Sequence, residues 1–541
     1  MILAMLIYLL YIREPMAGIE YSIAIIGFLI LSIVVGTLTS RLVKKSSKRY
    51  MIAGKSLPLF FVGTMLAAQS IDGNSSLGNA SLVYSYGFWA GAAIPIGLAI
   101  CLFLTAAFYG KKLNKMSMLT LPDFYYRRFG KGPEVISSAL LIVSFTILVA
   151  GNFAATGFIL QAVLGIDFVW AVLIGATIVL IYTFAGGLFS SAYTDIFQIY
   201  LAIIAFWAAF LFFYGGYATL DGVSVPFGQI LNNAPPGYLD LSGLTDPAAG
   251  AYLNWAGIAA LGFGDIVALD FMERVFAAKD PKTAQRGAVM GGGLTLLTVV
   301  PTSMLGIVAL TFLPGISNAF LSYPELALNH MPFAVGAALL MGVLGASMST
   351  ANGGLLAISS VISRNLIQRD ILRGWMKKPG LEDKKLLMTT RIFTIPMMIA
   401  AFLLAYQIPQ PGIYLIVAFD IVFAGALAPL TLGLFWKKAN MPAAIASLIA
   451  GTTLRLILYF LMSDPTYTLW QIDGIPTYAG LDTMIPPPIS FAIFIGVALA
   501  TQKRYPGEQR HGVVDYVPPE EDVIRGEDLK GFVTPTGGKF A

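Results

Sequence analysis

One stretch of the sequence decides the fold, and it reads Leu66-Ala67-Ala68-Gln69-Ser70-Ile71-Asp72-Gly73-Asn74-Ser75-Ser76-Leu77-Gly78-Asn79. It lies within an apolar run of membrane-spanning length, yet it contains glycines, amides and an acid. Glycine and asparagine weaken a helix, and Asp72 is costly in hydrocarbon. Because irregular backbone persists at membrane depth only where it lines a cavity or is buried in protein, the stretch predicts a helix broken at its centre, with freed carbonyls facing a binding site. A polar seam between helices, built from small residues, is the alternative.

The composition of the whole chain is that of a membrane protein. Of its 541 residues, 57% are hydrophobic and 12% are charged, whereas a soluble domain carries about 25% charged residues. The apolar residues gather in runs of about 20, the length that crosses a hydrocarbon core of about 30 Å. The formal net charge of +5 comes from basic residues in short loops between these runs, so it does not indicate nucleic-acid binding.

Thirteen membrane spans are predicted from the apolar runs. They cover 20–42, 57–83, 87–109, 133–162, 168–187, 192–215, 253–273, 285–313, 333–363, 386–407, 411–436, 441–463 and 485–502. Lys and Arg cluster after spans one, three, seven, nine, eleven and thirteen, whereas the loops near 216–252, 314–332 and 464–484 contain acids and no Lys or Arg. Since basic loops stay in the cytoplasm, this alternation predicts a plasma-membrane protein with an extracellular N-terminus and a cytoplasmic C-terminus.

The two ends of the chain are predicted to lie outside the membrane. Residues 1–19 form an extracellular segment in which Met16 is an alternative start, and the apolar part is too short to span. Residues 503–541 are polar and rich in Pro, Gly and acids, which predicts a flexible cytoplasmic tail.

Span nine contains a second polar stretch, Gly345-Ala346-Ser347-Met348-Ser349-Thr350-Ala351-Asn352-Gly353-Gly354. Residues three and four apart share a helix face, so the carbonyl of Ala346 and the hydroxyls of Ser349 and Thr350 could meet at one point. Neutral oxygens of this kind suit a hard monovalent cation. Taken alone, such a stretch is more often a packing seam, or a set of hydroxyls bonded to their own helix.

Span seven is the third irregular segment, with the sequence Gly262-Phe263-Gly264-Asp265. Broken segments at corresponding places in two halves of a chain point to a transporter site. Spans two and seven each open a block of five spans, and the blocks are inverted because the first ends outside and the second inside. This predicts a first span at 20–42, repeats at 57–215 and 253–436 separated by the extracellular loop 216–252, and two further spans within 441–502.

Several motifs, in their order along the chain, resemble those of the sodium:solute symporters. They are Leu77-Gly78-Asn79-Ala80 with Tyr84-Ser85-Tyr86-Gly87; Thr120-Leu121-Pro122-Asp123-Phe124 with Arg128-Phe129-Gly130; Tyr182-Thr183-Phe184-Ala185-Gly186-Gly187-Leu188 with Tyr193-Thr194-Asp195 and Gln198; Glu273-Arg274 with Ala277-Ala278-Lys279; Met348-Ser349-Thr350; and Leu434-Phe435-Trp436-Lys437-Lys438 with Asn440. The resemblance covers about residues 20 to 505. It implies an all-α polytopic protein with a LeuT-like core of ten helices, spans two to eleven, in two inverted five-helix repeats with discontinuous helices.

The resemblance also implies a sodium site between the first and eighth core helices. By motif position, this ion site consists of the carbonyls of Ala68, Ile71 and Ala346 and the hydroxyls of Ser349 and Thr350. Asp195 matches an acidic position near the cytoplasmic ion exit of the family. Sodium is then the coupling ion, and neither another metal nor an organic cofactor is expected.

The candidate solute site departs from the pattern of the sugar carriers in that family. Where they have an aromatic gate, this chain has Gly264 and Asp265, so sugar specificity is not expected. The substrate-binding candidates are Ser70, Asp72, Asn74, Asp265 and Asp420. If the three acids face one cavity, a cationic or zwitterionic solute is expected. The alternative is that each acid is capped by hydroxyls or paired, as Asp420 would be with Arg455.

The predicted function is sodium-coupled symport of a small organic solute into the cell by alternating access. The expected partners are the solute and the lipid bilayer, with no nucleic acid and no obligate protein partner. A proton-coupled carrier on the same fold, with Asp72 or Asp195 titrating, is one alternative, and a sensor or membrane subunit that binds solute without moving it is another. An enzyme is not indicated, because Cys101, His330 and His511 form neither a nucleophile–histidine pair nor a metal cluster.

Overall fold

The computed structural model describes residues 18–463, 471–472, 475–476 and 480–507. The predicted extracellular segment up to residue 17, which includes Met16, lies outside the described residues. The same holds for the predicted tail beyond residue 507, which includes His511, and for most of the predicted loop 464–484.

Helices account for most of the described structure. The first thirteen α-helices are α1 Ile19–Leu38, α2 Ser40–Val43, α3 Ser47–Ile52, α4 Leu59–Ser70, α5 Asn79–Tyr86, α6 Phe88–Leu104, α7 Gly110–Lys115, α8 Pro122–Phe129, α9 Lys131–Leu164, α10 Phe168–Gly186, α11 Leu188–Tyr214, α12 Phe227–Asn232 and α13 Ser242–Thr245. The others are α14 Ala251–Ala259, α15 Leu269–Ala277, α16 Pro281–Leu296, α17 Val299–Phe312, α18 Ser322–Asn329, α19 Phe333–Ser360, α20 Asp383–Gln407, α21 Ile413–Gly425, α22 Leu427–Phe435, α23 Met441–Ser463, α24 Leu481–Met484 and α25 Pro486–Thr501.

Short irregular helices and two small hairpins complete the described secondary structure. The 3-10 turns are Ala53–Lys55, Pro247–Ala249, Asp265–Val267 and Ala319–Leu321, and the π-helical segments are Asn74–Gly78, Thr105–Tyr109, Ala260–Gly264 and Val361–Trp375. Antiparallel hairpins pair β1 Thr219–Leu220 with β2 Val223–Ser224, and β3 Gln471–Ile472 with β4 Ile475–Pro476.

Within the described residues, ten helical segments are long and apolar enough to cross a membrane. Two further segments are bent: Ala251–Val267 meets Leu269–Ala277 at 46°, and Ile413–Gly425 meets Leu427–Phe435 at 48°. Counting each bent pair as one span gives up to twelve. The stretch quoted first contains the end of α4, a helix of only 12 residues. The all-α polytopic class with discontinuous helices is therefore confirmed, while the total of thirteen spans remains a prediction.

The break after α4 lies where glycine and polar residues predict it. The helix ends at Ser70, and Ile71 leaves the helical region with φ −99° and ψ 89°. The next segment is started by a reciprocal pair of hydrogen bonds: the Asp72 amide donates to Ser75 Oγ at 2.8 Å, and the Ser75 amide donates to Asp72 Oδ1 at 2.7 Å. This is the logic of a capping box, in which two side chains satisfy the backbone donors that a new helix leaves unpaired. Asp72 therefore acts as the N-cap of the second half of the span.

The helices around this break form two packed groups. Helix α4 packs most closely against α16, which also packs against α6, while α19 packs against both α9 and α11; the two groups also meet where α11 contacts α4. The start of α4 is joined to the end of α15 by backbone hydrogen bonds, from the Leu57 amide to the Ala277 carbonyl at 3.0 Å and from the Lys279 amide to the Leu57 carbonyl at 3.1 Å. The broken segments thus belong to one group of helices and face α19 of the other.

Candidate functional site

The break releases the carbonyl of Ala68 from its own helix. In a continuing helix the Asp72 amide would donate to this carbonyl, but here it donates to Ser75 Oγ instead. The Ala68 carbonyl accepts from the hydroxyl of Thr350 at 3.1 Å, and Ser349 Oγ lies 3.4 Å from the same oxygen. Three members of the predicted ion site therefore meet across two helices.

The other two members of the predicted ion site lie on the same two elements. Ile71 is the residue at which α4 ends, and Ala346 lies on α19, three and four residues before Ser349 and Thr350. All five residues are buried. The shared helix face brings the Ala346 carbonyl to the side of α19 that carries the two hydroxyls.

Of the three hydroxyls in the polar stretch of span nine, one bonds within its own helix and two contact the broken segment. Ser347 Oγ donates to the carbonyl of Val343 on its own helix at 2.8 Å. In contrast, Ser349 and Thr350 reach the neighbouring segment. The close approach depends on Gly73, because a Cβ there would overlap Ser347 Oγ and lie 2.6 Å from the Cβ of Ala155. The stretch is thus both a tight packing seam and a source of oxygens at the break.

Asp195 touches the predicted ion site directly. Its Oδ1 accepts from Ser349 Oγ at 2.7 Å, and its Oδ2 accepts from Ser191 Oγ at 2.9 Å. A hydroxyl has one proton to donate, so the short bond to Asp195 leaves the Ser349 oxygen as an acceptor toward the break. The ion-pathway candidate is therefore in contact with a candidate ligand.

A buried arginine, which the sequence analysis quoted only as part of a motif, links the site to α15. Arg274 donates to the Asp270 carbonyl at 3.2 Å and to Ser191 Oγ at 2.9 Å, and it pairs with Glu273 at 3.4 Å. The Gln69 amide joins the same network: its oxygen accepts from Arg274 Nη2 at 3.1 Å, and its nitrogen donates to Asp270 Oδ2 at 3.2 Å. The sequence places Arg274 among the basic residues that follow predicted span seven, and the apolar residues on both sides of it, Met272 and Val275, were the signal that could have indicated its burial.

Asp72 and Asn74, both solute candidates, support the break itself. Asp72 Oδ2 accepts from the side-chain amides of Asn152 at 2.7 Å and Asn74 at 3.0 Å. Asn152 Oδ1 in turn accepts from the Gly73 amide at 3.1 Å, and Asn74 Oδ1 accepts from the Gly412 amide at 3.3 Å. These bonds join the break to α9 and to the turn before α21.

The remaining solute candidates lie in three different environments. Ser70 donates to the Ala67 carbonyl at 3.0 Å and shares a short hydrogen bond with Thr295 on α16. Asp420 forms a bidentate ion pair with Arg455 and accepts from Thr483 at 3.0 Å. Asp265 is 1% exposed, and neither of its carboxylate oxygens has a hydrogen-bond partner among the described residues. The pairing of Asp420 with Arg455, left as an alternative by the sequence, is thus present.

The chain matches the model of the Sodium:solute symporter family over residues 50–451. A sodium/glucose cotransporter of Vibrio parahaemolyticus is 27% identical over 520 residues, which covers 87% of this chain and 93% of that protein. A sodium/proline symporter of Staphylococcus saprophyticus is 25% identical over 439 residues, covering 79% of this chain and 83% of that one.

Solved structures share the fold at low sequence identity. A sodium-coupled sialic acid symporter in a substrate-bound outward-open state superposes with a TM-score of 0.70 at 17% identity, covering 89% of this chain and 98% of its own. A transporter of the nucleobase-cation-symport-1 family superposes with a TM-score of 0.50 at 13% identity, covering 86% and 98%. At these identities the structural likeness concerns the fold alone.

Proposed function

The chain belongs to the sodium:solute symporter family, and from this membership we propose that sodium binds where α4 breaks against α19 and drives a small organic solute across the membrane. The chain is a multi-pass membrane protein, and its activity is sodium-coupled symport. The proposal concerns the residues that hold the ion and the way in which ion and solute are coupled.

A single contact carries the proposed ion site, namely the approach of the Thr350 hydroxyl to the Ala68 carbonyl at 3.1 Å. It joins an oxygen freed by a helix break to an oxygen on a second helix. Three carbonyls and two hydroxyls, from Ala68, Ile71, Ala346, Ser349 and Thr350, would then surround the ion. Hard cations prefer oxygen ligands, and neutral oxygens bind a monovalent ion without holding it irreversibly.

The position of this site supports coupling by alternating access. Helix α4 packs with α16, whereas α19 packs with α9 and α11. An ion held by both α4 and α19 favours the arrangement in which these two groups stay together, and its departure removes that preference. Because coupling between sites is reciprocal, sodium raises the affinity for solute by the factor by which solute raises the affinity for sodium.

We place the solute beside the same break, where the two carboxylate oxygens of Asp265 accept no hydrogen bond from the described residues. Ser70 lines this region, and Asp72 with Asn74 maintains its shape through the hydrogen bonds to α9. Asp420 is excluded from the proposed solute site because it is already paired with Arg455. The inverted repeats at 57–215 and 253–436, the extracellular N-terminus and the uptake of solute into the cell are further parts of this proposal, supported by the alternation of loop charges.

Proton coupling is the second candidate, and one contact favours it. Asp195 accepts a hydrogen bond from Ser349, a proposed sodium ligand, so a proton on Asp195 would alter the ion site directly. Asp195→Asn in proteoliposomes distinguishes the two. Uptake driven by a proton gradient without sodium, and abolished in this variant, would favour proton coupling.

The proposed ion site can be tested without knowledge of the solute. In purified protein, Ser349→Ala combined with Thr350→Ala should abolish saturable binding of radioactive sodium and the thermal stabilisation produced by sodium. Ser347→Ala is the matched control, since it removes a neighbouring hydroxyl that bonds within its own helix. Equal sodium affinity in the double variant and the control would exclude the assigned ligands.

A further inference from the structure

The region of the two breaks has an excess of buried acidic side chains. Five carboxyl groups lie there, each at most 2% exposed, on Asp72, Asp195, Asp265, Asp270 and Glu273. Among the described residues, the cation that bonds within this group is Arg274. Burying a charge is expensive unless an opposite charge or several donors accompany it, so the partners of each carboxylate decide where the excess lies.

Four of the five carboxyl groups are supplied with donors by the protein. Asp72 accepts from two side-chain amides and a backbone amide, and Asp195 accepts from two serine hydroxyls. Asp270 accepts from the Phe271 amide at 2.7 Å, and Glu273 pairs with Arg274. Each of these four acids therefore has at least one partner within the chain, although Glu273 Oε1 accepts no hydrogen bond from the described residues.

Asp265 differs from the other four. Both of its oxygens are buried, and neither finds a donor among the described residues. The turn that carries Asp265 packs against α15, which carries Asp270, and against α21, which also packs against the segment Asn74–Gly78 that follows Asp72. Neutral hydroxyl donors would satisfy its oxygens but leave its own charge uncompensated, whereas a cation with N–H groups supplies both donors and compensating charge.

The location of Asp265 is that of a ligand group rather than of a structural acid. It begins the 3-10 turn Asp265–Val267, after which Ala268 is extended with ψ 130° and the span bends by 46°. Its neighbour Gly264 faces α21, because a Cβ there would lie 2.6 Å from the Phe419 carbonyl. The carboxylate therefore lies at the break of span seven.

We propose that Asp265 is the specificity-determining residue of the solute site and that the transported solute carries a protonated amine, which Asp265 binds. This inference rests on the proposed function, since it assigns a ligand to the solute site described there. It excludes solutes that are purely anionic or that lack a basic nitrogen. Asp265 stands where the sugar carriers of the family have an aromatic gate, so this residue gives the chain a different preference among solutes.

The test compares amines with analogues that lack the basic nitrogen. Purified wild-type protein is melted with sodium alone and then with sodium plus L-alanine or L-lactate, L-proline or cyclopentanecarboxylate, and putrescine or its diol analogue. At least one amine should raise the melting temperature in a sodium-dependent manner, and its analogue should not. For that amine, Asp265→Asn should weaken apparent affinity by at least about 30-fold, since one partner of a buried charge pair is removed.

Each result bears on one claim. If sodium alone stabilises the protein but no amine adds to it, or if an analogue stabilises as well as its amine, the amine assignment is wrong and the ion site stands. If sodium alone has no effect, the proposed function fails, and the assignment fails with it. The shift of Asp265→Asn in sodium alone serves as a check on folding. Should that variant not fold, the comparison of amine and analogue on wild-type protein still decides the question.

Discussion

Replacing Asp72 by asparagine tests how the break is held open. Asp72 Oδ2 faces two amide donors, Asn152 Nδ2 at 2.7 Å and Asn74 Nδ2 at 3.0 Å. The orientation of both amides is fixed by backbone partners, since their oxygens accept from the Gly73 and Gly412 amides. The partners that the described residues offer this carboxylate are all donors, so the geometry fits its ionised form, which accepts hydrogen bonds and donates none.

The expected cost of Asp72→Asn follows from these contacts. An asparagine keeps one oxygen for the Ser75 amide and turns its own amino group toward the other two donors. Two buried donors then lose their acceptor, at about 1–3 kcal/mol each, which gives about 2–6 kcal/mol in total. The exchange variant Asp72→Asn with Asn152→Asp restores a donor opposite an acceptor, and it should recover at least half of the loss.

The free energy of unfolding can be followed by titrating the purified protein in mixed micelles with dodecyl sulfate, and sodium affinity can be measured on the same samples. A loss below about 0.5 kcal/mol in Asp72→Asn, or an exchange variant no more stable than the single variant, would contradict the assigned hydrogen bonds.

The Asp72→Asn variant also tests proton coupling. If Asp72 stays ionised through the cycle, its loss should not produce a new dependence of uptake on pH.

Two further predictions concern ionic groups away from the ion site. Arg455→Met leaves Asp420 buried without its bidentate partner, so unfolding free energy should fall by about 3–5 kcal/mol while sodium affinity stays unchanged, and adding Asp420→Leu should recover most of the loss. Burial lowers the pKa of Lys55 to about 8, an effect that Asp280 partly offsets. Because lysine in the unfolded chain has a pKa of about 10.4, the folded chain binds fewer protons between about pH 8 and 10, and its stability relative to the Lys55→Met variant should rise over that range. A difference in melting temperature between the two proteins that stays flat or falls would contradict this assignment.

Much of the fold could be predicted because its signals are local. Apolar runs of membrane length, glycines and an acid in mid-span determine where helices form and where one ends, and the break after Ser70 lies within the quoted stretch. The number of spans does not follow as directly from the same signals, because a broken span contains helices, such as the 12-residue α4, that are too short to cross a membrane alone.

The partners within the site could not be predicted, because they come from distant parts of the chain. The sequence marks Asp72 as expensive, but it does not show that Asn152, 80 residues later, supplies a donor. Arg274 was quoted within a motif, and Gln69 within the broken stretch, yet their contact arises only from the packing of α4 against α15. Likewise, the sequence left Asp420 between a solute role and an ion pair, because hydropathy carries no information on which face of a span an acid occupies.

The two backbone hydrogen bonds around Leu57 constrain any motion of the first broken helix. They tie the residue just before α4 to the segment that follows α15, so the entrance of one broken span and the exit of the other share a short stretch of parallel strand pairing. A displacement of α4 that opened a path past the ion site would have to carry the end of α15 with it or give up both bonds. While both bonds are kept, the smallest element that can move at this end of the protein is therefore a pair of half-helices, α4 together with α15.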